Sequence, residues 1–494
     1  MLLALNRGVD TNAPDPDRQR RRVLAALAMA SSAGVGMGIG SAVSGQSRAP
    51  APSTPDAAMR HHSSGMVSPR AFGARMDGTT DDTAMLEAAL ASGAAVLIDG
   101  PILISRTIDL PPDACLIGTG VYRATIKLGR NGVLRMAGAG FDRRAGGAVI
   151  RDLTIAPVDR AEPGIDLHLI HVEHVLFDNV NFYRINTLLD DHHHVSFRDC
   201  RFFGDEDRTT VTSQCDAQPV GRVGISESVA FARCFFASCP LVLVDTVDSR
   251  LSDCTFFSGP FGVRSMRRLA RGSDVEPFFM GPSMNGCVFD SIDGVAIDIE
   301  GGGTDCRITN NFISAGRTNR APGIRLTNCS GMELTGNRFE WCGTDGLVLD
   351  HSEKLGVIAN SFANMAAGVG VAARGSRAIR VIGNAFENRP RWGGSGDGGT
   401  TLAIAGDAEC SGWSVIGNTA AGLRDPRVAI LGSGIVHSNP GWPPSTEQGW
   451  PSGTSDTRPA DIANGYRWYD RTIGQWIYWH APSGRWRNGA GQQV

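Results

Sequence analysis

HVLFDNVNF at 174–182 returns as HVSFRDCRF at 194–202, SVAFARCFF at 228–236, SRLSDCTFF at 249–257, MELTGNRF at 332–339, LGVIANSF at 355–362 and IRVIGNAF at 379–386. Each copy alternates apolar and polar residues and reaches a phenylalanine. Aligned on that ring, the column reads Phe182, Phe202, Phe236, Phe256, Phe289, Phe312, Phe339, Phe362 and Phe386. Two residues earlier a second column reads Val180, Cys200, Cys234, Cys254, Cys287, Asn310, Asn337, Asn360, Asn384 and, without a phenylalanine, Asn418. A second strand family interleaves, each led by a small residue: PGIDL, DGVAIDI, PGIRL, DGLVLD, AGVGVA. Short strands at a spacing of about 20 to 27 residues, with no helical period between them, exclude helical and leucine-rich repeats. They predict an all-β solenoid, a right-handed single-stranded parallel β-helix, whose coils rise ~4.8 Å per rung. Like residues then pile on like inside: a phenylalanine spine, and beside it a cysteine ladder that gives way to an asparagine ladder.

The columns also place the cysteines. Eleven cysteines would invite disulfides if the chain is exported. Cys200, Cys234, Cys254 and Cys287 instead occupy the slot that asparagine takes later, and Cys329 and Cys410 share a register of their own. Small, stacked, buried thiols are the expectation. Of the 47 basic residues only Lys127 and Lys354 are lysines, which removes lysine from most catalytic schemes, and a net charge of −3 gives no nucleic-acid footprint.

Outward from the repeat, AFGARMDGTTDDTAMLEAAL (71–90) resembles the opening of the pectate-lyase-like β-helix superfamily, including its rhamnogalacturonase- and epimerase-like members. Phe72, Gly73, Asp77, Gly78, Asp81, Asp82 and Thr83 carry the match. The resemblance implies an N-terminal capping helix, here Ala84–Leu90, with Asp81, Asp82 or Thr83 as its cap. The superfamily holds polysaccharide lyases, polygalacturonase-like hydrolases, uronate epimerases, phage tailspike depolymerases and members without known activity. Tailspike-like relatives are trimers, so the resemblance leaves a trimer open, although no coiled-coil heptads support one here. Arg20-Arg21-Arg22 before an Ala/Gly-rich apolar run resembles a twin-arginine signal, which implies export to the periplasm or beyond. The expected organisation is a signal peptide at 1–45, a linker at 46–67, the β-helix at 68–440, a Pro/Gly/Ser-rich linker at 441–464 and an aromatic-rich β module at 465–494. No membrane span is expected after cleavage. The terminal GYRWYDRTIGQWIYWHAPSGRWRNG resembles a short module that ends phage tail and surface polysaccharide-acting proteins.

Two groups of outward residues compete as a reactive centre. Counting four from the small residue puts Asp298, Thr327 and Asp350 in one column on successive rungs, with Asp245 in it two rungs earlier. Arg325 falls between them, and Glu300 and His351 lie adjacent. A carboxylate pair at about 9–10 Å suits inverting glycoside hydrolysis. Asp293 and Asp345 resemble the aspartates of polygalacturonase-like enzymes, but that family's GHG and RIK-type motifs have no counterpart. The second group is His168, His171 and His174, followed one rung on by Asp190, Asp191, His192, His193 and His194. Register sets His171 beside Asp191 and His174 beside His194, with Tyr183 nearby. His, Asp and Tyr on neighbouring rungs, Asp191 and His193 among them, suit abstraction of a proton α to a uronate carboxylate, and the same cluster also suits a metal ion. Alternation turns some of these histidines inward, so not all act together. Long loops bring Arg264, Arg267, Arg268 and Trp392 as candidate contacts for an acidic glycan. No metal or cofactor is assigned; a lyase would bring in Ca²⁺. The expected partner is a polysaccharide, which the protein depolymerises, hydrolysis standing slightly ahead of elimination. Its rivals are a uronate epimerase and a non-catalytic glycan-binding or surface protein.

Overall fold

The computed structural model describes residues 65–158, 164–205, 209–215, 226–267, 281–303, 306–315, 321–365, 368–388, 402–423, 425–430 and 433–440, and most of 452–494 outside 459–466. Short parallel strands stack coil upon coil. Each complete coil has three faces. The first holds strands such as Ile297–Glu300, Ile324–Thr327 and Leu347–Asp350; the second, Arg307–Thr309, Glu333–Thr335 and Gly356–Ile358; the third, Phe312–Ala315, Arg338–Glu340 and Ser361–Ala363. The first two faces merge into one 27-stranded sheet, and the third forms a 13-stranded sheet. The expected signal peptide and first linker fall outside the described residues, apart from the linker's last residues.

Helix Thr83–Ala91 covers the N-terminal end, with Leu86 and Ala89 fully buried against the first coils. Asp82 stands at its N-cap but does not cap it. The buried carboxylate accepts instead from the Arg75 and Met76 backbone N–H groups at 2.9 and 2.8 Å, tying down the preceding loop. Asp81 accepts from the Thr83 N–H at 3.1 Å and from Ser105 Oγ at 2.6 Å, joining the helix start to the first coil.

The spine forms as read, with one exception. Phe182, Phe202, Phe236, Phe256 and Phe289 stack with centroids 4.4–4.8 Å apart, and Phe339, Phe362 and Phe386 resume the stack. Ile313, not Phe312, fills the gap: it pairs with Phe289 and Phe339, while Phe312 pairs with Val288 and Arg338 on the outer side. A second inward column, Phe177, Phe197 and Phe231, meets the first edge-on.

The same one-residue shift places Asn311, not Asn310, in the ladder. Asn310 takes a left-handed turn conformation at φ 55°. From Asn311 through Asn337, Asn360, Asn384 and Asn418 to Asn439, each side-chain amide donates to the Oδ1 of the next at 2.9–3.0 Å. The same Oδ1 also accepts from the backbone N–H of the asparagine before it. The second amide proton of Asn360 goes to the Leu334 carbonyl, and its neighbours repeat the pattern. On earlier rungs the cysteines take this slot. All eleven cysteines are free thiols, and Cys200, Cys234 and Cys254 donate to the carbonyls of Phe177, Phe197 and Phe231 at 3.4–3.5 Å. Cys329 opens a further ladder that Ser352 and Ser376 continue.

The terminal module is a four-stranded sheet around Ile477 and Trp486. It begins before the aromatic phrase, inside the stretch read as a linker, because Ser452 and Gly453 pair with Tyr469 and Asp470. Buried Asp470 accepts from Ser455 Oγ at 2.8 Å and from Arg458 Nε at 2.6 Å.

Truncating one ladder amide strands donors on the rung below. Asn360→Ala is expected to destabilise the fold by about 2–4 kcal/mol, since two buried N–H groups of Asn337 lose their acceptor. Cys254→Ala, which removes a weak thiol bond, is expected to cost less than half as much; thermal unfolding of the two variants measures the difference.

Candidate active site

Strands Leu167–Asp178 and Thr187–Arg198 each run twelve residues around the corner between the first and second faces. They bend without losing register because His171, His174, Asp191 and His194 adopt left-handed φ values of 49–52°. Such φ values are uncommon outside glycine, and here they set four polar side chains along one edge, with His174 and His194 exposed, His171 partly exposed and Asp191 buried. The backbone register sets Val172 against His192 and Glu173 against His193, so His171 faces Asp191 and His174 faces His194, as expected from spacing.

Asp191 is the centre of this corner. Its side chain is fully buried, yet it meets two cations or potential cations. His171 Nδ1–H donates to Asp191 Oδ2 at 2.6 Å, and Arg144 Nη2 donates to Oδ1 at 2.7 Å. A carboxylate can only accept, so this contact puts a proton on Nδ1, and in the neutral imidazole the lone pair then lies on Nε2. Arg144 itself is nearly buried and lies over the Phe141 ring at 4.3 Å. It balances the Asp191 charge where water cannot, which a buried carboxylate requires.

The remaining histidines divide by direction. His192 points into the solenoid, where Nε2 lies 2.7 Å from Ser213 Oγ, and Ser213 is in turn 2.7 Å from Thr246 Oγ1. Burial, reinforced by neighbouring His193, pushes its pKa down to about 3. His193 points outward in a column between Glu173 and Glu227, with Nε2 3.7 Å from the Glu227 carboxylate. Burial and the Arg144 guanidinium hold it below its ordinary value, so it stays neutral near pH 7. Burial also lowers His168. His174 and His194 stack at 5.0 Å on the outer rim. Tyr183 sits on the third face beside Phe203 and Arg184 rather than at this corner.

The acidic group is rearranged relative to expectation. Asp298 pairs with Arg325, which pairs with Val348; Glu300 pairs with Thr327, which pairs with Asp350. Asp298 and Asp350 therefore occupy different columns, and the carboxylates that share one are Glu300 and Asp350. Counting from the leading glycine fails because the loops before these strands differ in length. Asp245 is not in either column: it follows Val244 into the corner at φ 47°, in line with Arg267. Asp298 is held by a two-pronged contact from Arg325 at 2.9 and 2.6 Å and by Arg264 at 3.5 Å. Arg264 also covers the Phe261 ring at 4.1 Å. Asp350 accepts from His351 Nδ1 at 2.7 Å. Asp345 accepts from the Val369 N–H at 2.6 Å, a turn-holding role, and burial raises its pKa. Arg268 and Trp392 lie outside the described residues. Among the described residues no group of three or more His, Cys, Asp or Glu side chains is placed to hold a metal ion, and no helix is long and apolar enough to cross a membrane.

Arg144 is the residue of this corner that spacing alone misses. It ends a loop inserted in the coil before the phenylalanine repeat begins, just ahead of Ala145 and Gly146, which pair with Val172 and Glu173. The signal available was that pairing: a rung one coil earlier had to end near His171.

The family model described as "right handed beta helix region" matches residues 322–428. Among solved structures, tailspike protein 3 of bacteriophage CBA120 superposes with a TM-score of 0.73 at 26% identity, over 87% of this chain and 70% of that one. The A-module of mannuronan C-5 epimerase AlgE6 of Azotobacter vinelandii gives 0.41 at 15% identity, over 76% and 99%. PfbA, a surface adhesin of Streptococcus pneumoniae, gives 0.43 at 14%, over 65% and 90%. No curated protein matches the sequence. The chain folds as a right-handed parallel β-helix.

The buried neutral imidazole of His192 makes stability depend on pH. The unfolded chain protonates this group near its ordinary pKa of about 6.5, whereas the folded chain resists protonation down to about 3. Its contribution is therefore complete above about 6.5 and is lost as pH falls through that window. Between pH 6.5 and 4 the thermal midpoint of the native chain should fall more steeply than that of His192→Gln, by close to one proton taken up on unfolding.

Proposed function

We propose that the protein is an exported β-helix enzyme that acts on an acidic polysaccharide, with the His171–Asp191–Arg144 corner as its reactive centre. The observation that carries this is the buried Asp191 carboxylate, which fixes the His171 tautomer and leaves Nε2 as a base at the outer edge of the coil. An imidazole oriented this way by a buried carboxylate is suited to take a proton. The opening phrase's resemblance to a superfamily rich in polysaccharide-acting proteins, and the likeness to a tailspike over most of the chain, support a glycan as the target. The twin-arginine-like signal supports an address in the periplasm or outside the cell.

For a uronate-containing chain the step is elimination. His171 Nε2 takes the proton on the carbon α to the carboxylate. The C–H electron pair becomes a new carbon–carbon double bond, and the glycosidic C–O bond on the neighbouring carbon breaks, its electrons leaving on oxygen. His193, neutral and flanked by Glu173 and Glu227, stands one rung on as a second proton-handling group. Arg264 and Arg267 on the neighbouring first face offer guanidiniums to substrate carboxylates.

A second reading is hydrolysis by Glu300 and Asp350. They share an outward column with Thr327 between them, so the rung rise sets them about 9–10 Å apart, at the upper end of the spacing for inverting glycosidases. Asp298, engaged by two arginines, is poorly suited to act as an acid.

Incubation with acidic polysaccharides separates these readings. Elimination is expected to give the ultraviolet absorbance of an unsaturated uronate, and His171→Ala should lower the rate by about 10²–10⁴-fold. Reducing ends without that absorbance, abolished by Glu300→Gln, would favour hydrolysis. A change in uronate composition without shortening would mark an epimerase, and an unaltered panel would leave glycan binding as the activity.

A further inference from the structure

Away from the corner, the third face carries rings on its outside as well as inside. Its strands read Asn181–Tyr183, Arg201–Phe203, Phe235–Ala237 and Thr255–Phe257. The central phenylalanine of each belongs to the buried spine. Tyr183, Phe203 and Phe235 therefore point outward, on three successive rungs. Tyr183 is half exposed and the other two are partly so. Phe203 follows Tyr183 in register with centroids 6.1 Å apart, whereas Phe235 pairs with Arg201, one outward column over, and its ring lies 6.0 Å from that of Phe203; the ring planes are tilted by 46° and 58°. The spine already supplies the apolar side of this sheet, so packing of the coil does not account for an outer row.

Planar polar groups edge the rings. Arg184 lies 5.8 Å from the Tyr183 centroid and 3.9 Å from the Asp205 carboxylate. Arg201 Nη1 donates to Asn179 Oδ1 at 3.5 Å and to Asn181 Oδ1 at 3.4 Å. Guanidinium, carboxylate and amide groups beside exposed aromatic faces suit one ligand chemistry in particular. A pyranose ring has an apolar C–H face that settles on the electron-rich face of an aromatic ring. Its rim of hydroxyls asks for planar donors and acceptors in pairs.

We infer that the outer row Tyr183–Phe203–Phe235 is a glycan-binding surface, separate from the reactive corner, that takes consecutive sugar rings of a chain running along the solenoid. It does not depend on which reaction the corner performs. A second copy of the chain fits this face less well. Three partly exposed rings offer roughly 300 Å² at most, against about 800 Å² per partner in a stable interface. A flat protein surface would also desolvate the Arg184–Asp205 pair without replacing its water.

The test uses the full chain carrying His171→Ala, so that no polymer is consumed. It is run through native gels cast with alginate, homogalacturonan, xanthan or dextran, and its sedimentation is measured in parallel. At least one polymer is expected to retard it. Adding Tyr183→Ala should weaken that retardation about threefold to tenfold in apparent Kd, and Tyr183→Phe should keep it, since the ring remains. Tyr183 is exposed enough for both variants to fold, which circular dichroism verifies. Retardation by none of the polymers, or equal retardation of Tyr183→Ala, would overturn the inference. So would a change in sedimentation with Tyr183→Ala, which would make the face a contact between copies.

Discussion

In the described coils of the solenoid, an inward position answers to the same position one coil away. Parallel strands in register set each side chain on its counterpart at the rung spacing, so a residue type is tolerated inside only if it can be stacked on itself or on something of its size. The asparagine ladder is the strictest instance. One Oδ1 accepts two N–H groups from the rung before, and one amide donates both forward and back. An isolated buried amide would leave these groups unpaired; in a column, each rung satisfies its neighbour. The phenylalanine stack and the thiol column are looser forms of the same rule.

The corner that carries Asp191 follows from the same constraint. A continuous strand can turn between two faces only if some residues accept left-handed backbone angles while the pairing persists. Polar side chains at those angles are aimed outward, away from the stack, and are free to meet side chains from adjacent rungs. The coil thus supplies rigid positions at a fixed spacing, which the proposed proton transfer needs. Arg144 completes the arrangement from an inserted loop, where length is not constrained by stacking.

The sequence was most legible where stacking acts. The spine, the ladders and the pairing of His171 with Asp191 could be read from residues repeating at coil spacing, because burial makes those columns uniform. Legibility failed where the chain leaves the stack. In CRITNNFI two asparagines adjoin, and only the choice between Phe312 and Ile313 as the inward residue decides which one joins the ladder. The outward columns of Asp298 and Asp350 were misaligned because they were counted from the residue leading each strand, and the turns there are uneven. Asp245 looked like a strand residue but serves as a corner. Arg144 lay ahead of the first recognisable repeat. The proposed site is built from these outward and looped residues, which obey no period.

The asparagine ladder also has a direction. Every amide-to-amide bond runs the same way, from Asn311 toward Asn439, while the second proton of each amide goes back to a carbonyl of the coil before, so each rung is joined only to its two neighbours. A coil duplicated or lost within this stretch would find the same donors and acceptors waiting on either side. The segment can therefore change length without redesign, as a ruler cut or spliced between its marks stays a ruler. The coils around Asp191 have no such freedom, since each contributes a different group to one place. The chain thus joins an interchangeable part, in which evolution can adjust reach, to a singular one whose groups meet at a single place.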